Sequence, residues 1–528
     1  MLTDRAFMRL RVLLVPCLAV LLQAADPISL ALDKPVMSLN PLLLAREVEV
    51  QVVDMVFDRL VTIDERGNYL PQMLESWKIS RDGRDVLLKL RPGLTWQDGS
   101  PVEAEDVVAT WRMLSLPQVR KVFDLVGVRT LDSVVAEDPL TVHIRLRQAR
   151  AAILADLYSF QPVPRRLYRL GADPLKDPLN YAPVGSGPYR VLPGANAREI
   201  RLERWSGYKG PNPGVWDQFR FRVQPPDPAE YLQQVKAGGY HFADLDWFHH
   251  YLLRQGAFGT TNLVPLSVPT ASYDTFWLNC NARRSLLGDK RLRRALAELV
   301  PLEFLLAQRR LHPSRLATSL WSPLSWAYEA VPQTLPKLEK AQAILDEAGW
   351  HPGPDGMRRD GSGHPLRLVM FAAQGYSKLD AAQAFADQAR KAGIDLDLRR
   401  VGIDEILAKA AKGEGDVWSY GWNTSLDPDA EAPLFTHEGI VGGTNITGYQ
   451  NPEVDRLFEQ ARHEMDFGRR RALYFRINGL VQRDFPLLQL TYGAAYLAVD
   501  RRLRGVAFDP LGQSYGYVPG RRGWTLKN

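Results

Sequence analysis

At 528 residues the chain exceeds what one hydrophobic core organises, so several domains or subdomains are expected. Hydrophobic residues make up 45% and charged residues 24%, the balance of a globular protein rather than a disordered one. The net charge of +6 is spread without long basic runs, and no helix stacks Lys and Arg between aromatics, which argues against a nucleic-acid face.

The first element in chain order is an export signal. Arg5, Arg9 and Arg11 precede an apolar stretch, Val12–Leu22, and the small residues Ala24 and Ala25 follow. The stretch is shorter than the roughly 20 residues a membrane span requires, so 1–24 reads as a cleaved secretory signal. Cys17 has Pro16 before it and Leu18–Leu22 after it, inside the apolar stretch rather than at its end, so lipid anchoring is not expected. Removing the signal leaves Cys280 alone, which excludes an intrachain disulfide and suits a small buried hydrophobe.

Strands and helices then alternate, the pattern of an α/β protein. Strands are expected at Asp85–Leu90, Leu140–Leu146 and Gln218–Val223; in the last, Phe219, Phe221 and Val223 alternate with Arg220 and Arg222. Helices are expected over Glu103–Met113, with Glu105 and Asp106 at its positive end, and over Lys337–Ala348, closed by Gly349. Ser377 opens a helix running to Ala392, and a strand returns over Ile394–Arg400. No Gly/Ser tether joins the units, so short crossings of the chain connect the domains.

Catalytic motifs are absent. His437-Glu438 is not followed by the second histidine of a zinc helix, and there is no phosphate-binding loop and no nucleophile elbow. Gly185-Ser186-Gly187-Pro188-Tyr189 reads as a turn entering a strand. His249 and His250 are adjacent and point apart, which suits a structural role better than a metal site. Asp244 and Asp246 read as a polar strand end. No cofactor, resident metal or catalytic residue is expected.

The informative stretch is Asp416–Phe435. Trp418, Tyr420 and Trp422 share one face of a strand, and a turn holding Asp427 and Asp429 follows. Aromatic walls with a few polar groups suit a small-molecule cleft, where a carboxylate would hold a ligand ammonium. Equally, the aromatics can pack in a core while Asp427 caps the next helix. Spacing alone does not separate these readings.

Further segments carry a family pattern. They are Leu70–Trp77 with Asp82-Gly83, Leu90–Val102 with Ala104–Val108, Val184–Tyr189, Leu278-Asn279 with Asp289–Leu296, and Lys340-Ala341 with Leu345–Gly349. In this order they resemble the extracellular solute-binding proteins of family 5, the oligopeptide, dipeptide and nickel-binding group of ABC importers. The resemblance implies a periplasmic binding protein-like α/β fold (type II, cluster C), with two lobes around a cleft and a subdomain inserted in the N-terminal lobe. It places lobe I at 25–55, 183–270 and 490–528, the insertion at 56–182, lobe II at 271–489, and hinges near Ala271–Asn281 and Leu487–Tyr492. Trp96 and Asp98-Gly99 become a turn and packing anchor.

The implied function is capture of a peptide-like solute in the periplasm by a monomer, for delivery to an ABC permease with separate ATPase subunits. Residues expected at the ligand are Asn279, Gln374, Tyr376, Trp418, Tyr420, Trp422, Asn423, Ser425, Asp427 and Asp429. The chain departs from the dipeptide binders at both charged anchors. Ser425 stands where they carry an Asp, and Gln374-Gly375 where they carry an Arg. A longer or modified peptide, a metal chelate or another small solute therefore remains open, as does a periplasmic sensor.

Overall fold

The computed structural model describes residues 26–44, 46–120, 130–159, 161–168, 176–308, 315–331, 335–374 and 376–527, with side chains omitted for 376–380. The expected signal at 1–24 and Cys17 lie outside the described residues. Among those described, no helix is long and apolar enough to cross a membrane.

One 11-stranded sheet runs through the molecule. Its path is Asp395–Val401, Arg367–Ala373, Val417–Asn423, Leu263–Leu278, Leu487–Asp500, Phe242–Leu245, Ile28–Leu32, Gln218–Val223, Glu199–Arg204 and Tyr189–Val191, with Arg315–Leu316 pairing beside Leu487–Asp500. Ile28–Leu32 pairs parallel with Gln218–Val223 and is buried at every position, as a strand covered on both faces must be. The alternation at Gln218–Val223 forms as its sequence indicates, with Phe219 and Phe221 in the core.

The hydrophobic cores divide the sheet. One core takes residues from Ile28 to Val268 and resumes at Leu497. Two others, centred on Phe276 and Trp277, lie within Tyr273–Tyr492. The strands Leu263–Leu278 and Leu487–Asp500 pass from one set of cores to the other, antiparallel to each other.

Both strands lose register where the cores change. Pro269 pairs with Ala494 and Tyr273 with Tyr492, so three residues face the single Gly493. Pro269 has no N–H to continue the ladder. A Cβ on Gly493 would lie 2.0 Å from Ser272 Oγ and 2.7 Å from Thr270 Oγ1, so a larger residue there would displace both hydroxyls. The freed backbone groups are taken up nearby: Ala271 N–H donates to the Leu511 carbonyl (3.0 Å), and Thr424 N–H donates to the Ala271 carbonyl (2.7 Å). A second shift, at Leu490, separates Asp274 from Thr275. The main break thus sits at the start of the expected Ala271–Asn281 crossing and just beyond Leu487–Tyr492, where Pro269 and Gly493 put it.

Within 56–182, a four-stranded antiparallel sheet pairs Leu74–Ile79, Asp85–Leu90, Thr141–Leu146 and Leu131–Asp138. The helix beside it spans Ala104–Leu114, one residue later than expected, because Glu103 is the N-cap of a reciprocal capping box with Asp106. Asp106 also accepts from Trp96 Nε1 (3.2 Å), which fixes the buried indole. Gln97, in the same turn, clamps the Gly185–Tyr189 segment. Its Nε2 donates to the carbonyls of Gly187 (3.1 Å) and Tyr189 (2.7 Å), and its Oε1 accepts from Gly185 N–H (3.1 Å). Gly187 N–H donates to the Val56 carbonyl (2.8 Å), an approach that a side chain at Gly185 would block. The segment is thus a structural turn entering the strand Tyr189–Val191. Gln97→Ala is expected to lower stability by about 1–3 kcal/mol in urea unfolding, since it strands the Gly185 donor; an unchanged midpoint would show that solvent already satisfies that donor.

Candidate functional site

The aromatic strand forms over Val417–Asn423, between Arg367–Ala373 and Leu263–Leu278. This interior position pairs both of its edges, and the residues Val417–Tyr420 are buried. Trp418 is 0% exposed, and its Nε1 donates to the Glu414 carbonyl (3.0 Å). Tyr420 is buried and stacks on Trp277 at 5.5 Å. Trp422, further along, is half-buried and meets Trp277 edge-on at 6.3 Å. Trp418 and Tyr420 belong to the core that holds Phe435, Tyr449 and Tyr474, and the half-buried Trp422 packs against it. Trp418 and Tyr420 therefore do not act as cleft walls in this structure.

The two carboxylates of the following turn are also engaged. Asp427 accepts Asp429 N–H (3.0 Å) as a helix cap and forms a two-pronged pair with Arg470 (2.7 Å at each oxygen). Asp429, 2% exposed, accepts from Arg150 (2.9 Å) and Arg462 (3.3 Å). Arg150 also holds Asp156 (2.9 Å). The ammonium-binding role expected for Asp427 and Asp429 is corrected by these partners, because each negative charge is already matched by arginine inside the protein. The Arg150 pair reaches from the 56–182 region to the half holding Asp429. It is joined there by Ala151 N–H donating to the Arg462 carbonyl (2.9 Å), and His463 Nδ1 contacts the Ala149 carbonyl.

The remaining expected residues scatter. Asn279 is buried and donates to the carbonyls of Gly413 (3.3 Å) and Gly415 (2.9 Å), a structural clamp. Gln374 is exposed, and the Tyr376 side chain lies outside the described part. Asn423 and Ser425 do face space, lining two neighbouring cavities.

The larger cavity, about 590 Å³, lies against the register break. Thr270, Ala271 and Ser272 form one side of it, with Asn423 and Thr424 adjoining. The smaller, about 100 Å³, shares Ala271, Thr424 and Leu511 with it and adds Ser425, Trp326 and Tyr69. The loop Asp509–Gln513 walls the larger space. Asp509 shapes that loop by accepting from Leu511 N–H (2.9 Å) and Gln513 N–H (2.8 Å), while burial pushes its carboxyl to about 7.

Charged groups stand in this cavity. Asp244, at the end of Phe242–Leu245, is open to the space yet ringed by protein, which raises its carboxyl to about 6. Its side chain has no hydrogen bond or ion pair among the described residues; Tyr231 O–H donates to its backbone carbonyl. Glu47 accepts from Tyr515 O–H (2.6 Å). Arg521 is 3% exposed and donates to Ser514 Oγ and Gln51 Oε1, each at 3.1 Å. Its guanidinium lies 5.0 Å from the Tyr515 ring centre, and burial lowers it to about 10. Sequence reading met Asp244 as a polar strand end and missed Glu47, Tyr515 and Arg521. Glu47, Asp244 and the Tyr515–Arg521 segment lie in three distant parts of the chain, and no local pattern links them. By contrast Asp246 caps the helix Trp247–Arg254, and His249 pairs with that cap. His250 packs on Tyr496. Cys280 donates to the Leu278 carbonyl, and burial pushes its thiol to about 12.

Two expectations test the turn. Asp427→Ala leaves Arg470 without its buried partner and is expected to cost about 3–5 kcal/mol in chemical unfolding. Ligand affinity of the folded fraction should change less than threefold; a large affinity loss at unchanged stability would return Asp427 to the ligand. Glu431, 3% exposed, accepts from Ser425 N–H (2.8 Å), and burial pushes its carboxyl to about 8. In the unfolded chain it ionises near 4.3, so its penalty is absent below about pH 4 and grows as pH rises toward 8. Glu431→Gln should match the parent at pH 4 and exceed it at pH 8 by about 1–3 kcal/mol; equal stability across that range would show an ionised Glu431.

The comparisons with known proteins agree with this architecture. The family model for bacterial extracellular solute-binding proteins, family 5, matches residues 68–442. The oligopeptide-binding protein AppA of Bacillus subtilis is 25% identical over 510 residues, covering 93% of this chain and 91% of its own. The structure of that AppA with a nonapeptide superposes with a TM-score of 0.78 at 23% identity, over 95% of this chain and 99% of the other. NikZ of Campylobacter jejuni, solved with Ni(L-His), gives 0.80 at 22% identity, over 94% and 99%. With the sheet crossing twice between its cores, and the family pattern spanning 68–442, the chain belongs to the family 5 bacterial extracellular solute-binding proteins.

Proposed function

We propose that this protein captures a peptide-like solute in the cavity beside the strand crossing and hands it, lobes closed, to an ABC permease in the membrane. Lobe I takes 25–55, 183–270 and 490–528, lobe II takes 271–489, and 56–182 is the inserted subdomain. The protein works in the periplasm as a monomer, without chemistry on its cargo.

The observation that carries this reading is the cavity of about 590 Å³, whose wall is the register break itself. That volume suits a small molecule. Amides and hydroxyls face it, among them Gln51, Gln513, Asn423, Thr270 and Ser272, the groups that pair with peptide backbone. Shifting closure from 1% to 99% takes about 5.5 kcal/mol, which several hydrogen bonds of about 0.5–1.5 kcal/mol supply together. The related AppA forms a complex with a nonapeptide. A metal chelate, as in NikZ, would use the same space through its organic part.

The test is mass spectrometry of the natively purified protein, before and after loading with an enzymatic casein digest. Peptides should be retained, and small-angle scattering should show a smaller radius of gyration on loading. A retained metal complex would favour the chelate, while an empty protein that ignores the digest and keeps its radius would end the peptide reading.

A further inference from the structure

We infer that the molecule carries a second ligand site, away from the strand crossing: an apolar cavity that takes one fatty carboxylate of roughly eight to ten carbons, its chain against Leu305, Leu316 and Phe485 and its carboxylate at Arg483. This site goes beyond the solute capture proposed above and does not depend on it.

The cavity measures about 240 Å³ and shares no lining residue with the two cavities at the register break. Its wall gathers Leu305 from the helix Leu302–Gln308, Leu316 from the strand Arg315–Leu316, and Leu488 and Leu490 from the start of Leu487–Asp500. Leu305, Leu488 and Leu490 are buried in one core, and Leu316 and Phe485 pack against it, so the cavity opens directly onto that core. Phe485 follows the helix Phe467–Asp484 in the left-handed region (φ 53°, ψ 50°), the only residue other than glycine with a positive φ among those described. Such a conformation is costly for a residue with a side chain. Here it delivers an aromatic ring to the edge of the core, where that ring lines the cavity.

The polar groups around this space select the head of the guest. Glu298 is buried, pairs with Lys340 and accepts from Lys337 N–H (3.4 Å). Gln482 Nε2 donates to Gln489 Oε1 (2.7 Å), and Gln489 Nε2 donates to the Ser319 carbonyl (2.6 Å). Arg483 is different. It is exposed at the mouth, its Nε donates to the Gly479 carbonyl (3.3 Å), and it forms no ion pair among the described residues. Asp484, next in the chain, is taken by Lys290 (2.5 Å), Tyr449 (2.7 Å) and Asn451 (2.8 Å). One unmatched positive charge therefore stands at the entrance of an apolar chamber. Its complement is an anion with an apolar tail, and a guanidinium presents paired N–H groups to a carboxylate. Volume sets the tail. A cavity of about 150 Å³ accepts the six carbons of benzene, so this one accepts roughly eight to ten. One chain fills it, which selects a free fatty carboxylate over a two-tailed membrane lipid. Withdrawing that chain from water drives the binding.

The experiment titrates sodium decanoate, decylammonium chloride and 1-decanol into the full protein by calorimetry. Decanoate should bind at one site, about tenfold or more tighter than either of the others, a difference of about 1.4 kcal/mol. Arg483→Gln, an exposed change that breaks no ion pair among the described residues, should weaken decanoate about fivefold or more and leave decanol within about twofold. Leu316→Trp fills the cavity and should abolish the binding of both; if that variant does not fold, Arg483→Gln decides alone. An enzymatic casein digest added beforehand should leave the decanoate titration unchanged. The assignment is overturned if the parent ignores decanoate, if decylammonium binds as tightly, if Arg483→Gln keeps the parent's decanoate affinity, or if a folded Leu316→Trp protein binds like the parent. Displacement of decanoate by the digest would put the chain at the register break and overturn it as well.

Discussion

The sheet passes between its two halves through only two strands among the described residues, and both are interrupted at the same level. Everything else in the molecule depends on that interruption. Pro269 removes a donor, Thr270 to Ser272 loop out, and Gly493 supplies the empty volume into which they fit. At the centre of the interruption, Ala271 N–H donates to the Leu511 carbonyl and the Ala271 carbonyl accepts from Thr424 N–H, and both partners wall the cavity. The register break and the cavity wall are therefore built from the same residues. On the proposed function, a guest that touches the wall bears directly on the angle between the lobes, with no need for a longer route of coupling.

Electrostatics sort the acidic residues into two populations. Asp427, Asp429, Asp156 and Glu49 are paired with arginines and fix the architecture. Removing one member of such a pair exposes the other to the full penalty of an unmatched interior charge. Asp244 and Glu47 belong to the second population, facing the cavity without an ion pair among the described residues. Sequence gives both populations the same letters. Only the arrangement in space separates scaffold from site.

How far the sequence could be read follows from the range of the interactions. Strand alternation at Gln218–Val223 and the turn at Gly185–Tyr189 are local, and they form where the pattern puts them. The capping box at Glu103 and Asp106 is local too, and moved a helix boundary by one residue. The stripe Trp418, Tyr420, Trp422 shows why locality fails at the site. Its period is correct, yet which side of an interior strand meets a cleft depends on strands far along the chain. Here the helices that follow cover the stripe, and the alternative of core packing prevails for Trp418 and Tyr420. Arg521 and Glu47 lie at opposite ends of the chain, and no spacing rule joins them.

Under the proposed division into lobes, the Arg150 contact has a consequence for how readily they come apart. It is shared by Asp156 on its own side and Asp429 on the other, and Asp429 is in turn shared with Arg462. If the lobes part, Asp156 retains Arg150 and Asp429 retains Arg462, so no acidic group is abandoned. The contact behaves as a clasp whose two pieces are each complete when undone. Opening then forfeits a bridging contact rather than a stranded ion, and the resting balance between open and shut is left for the guest to decide.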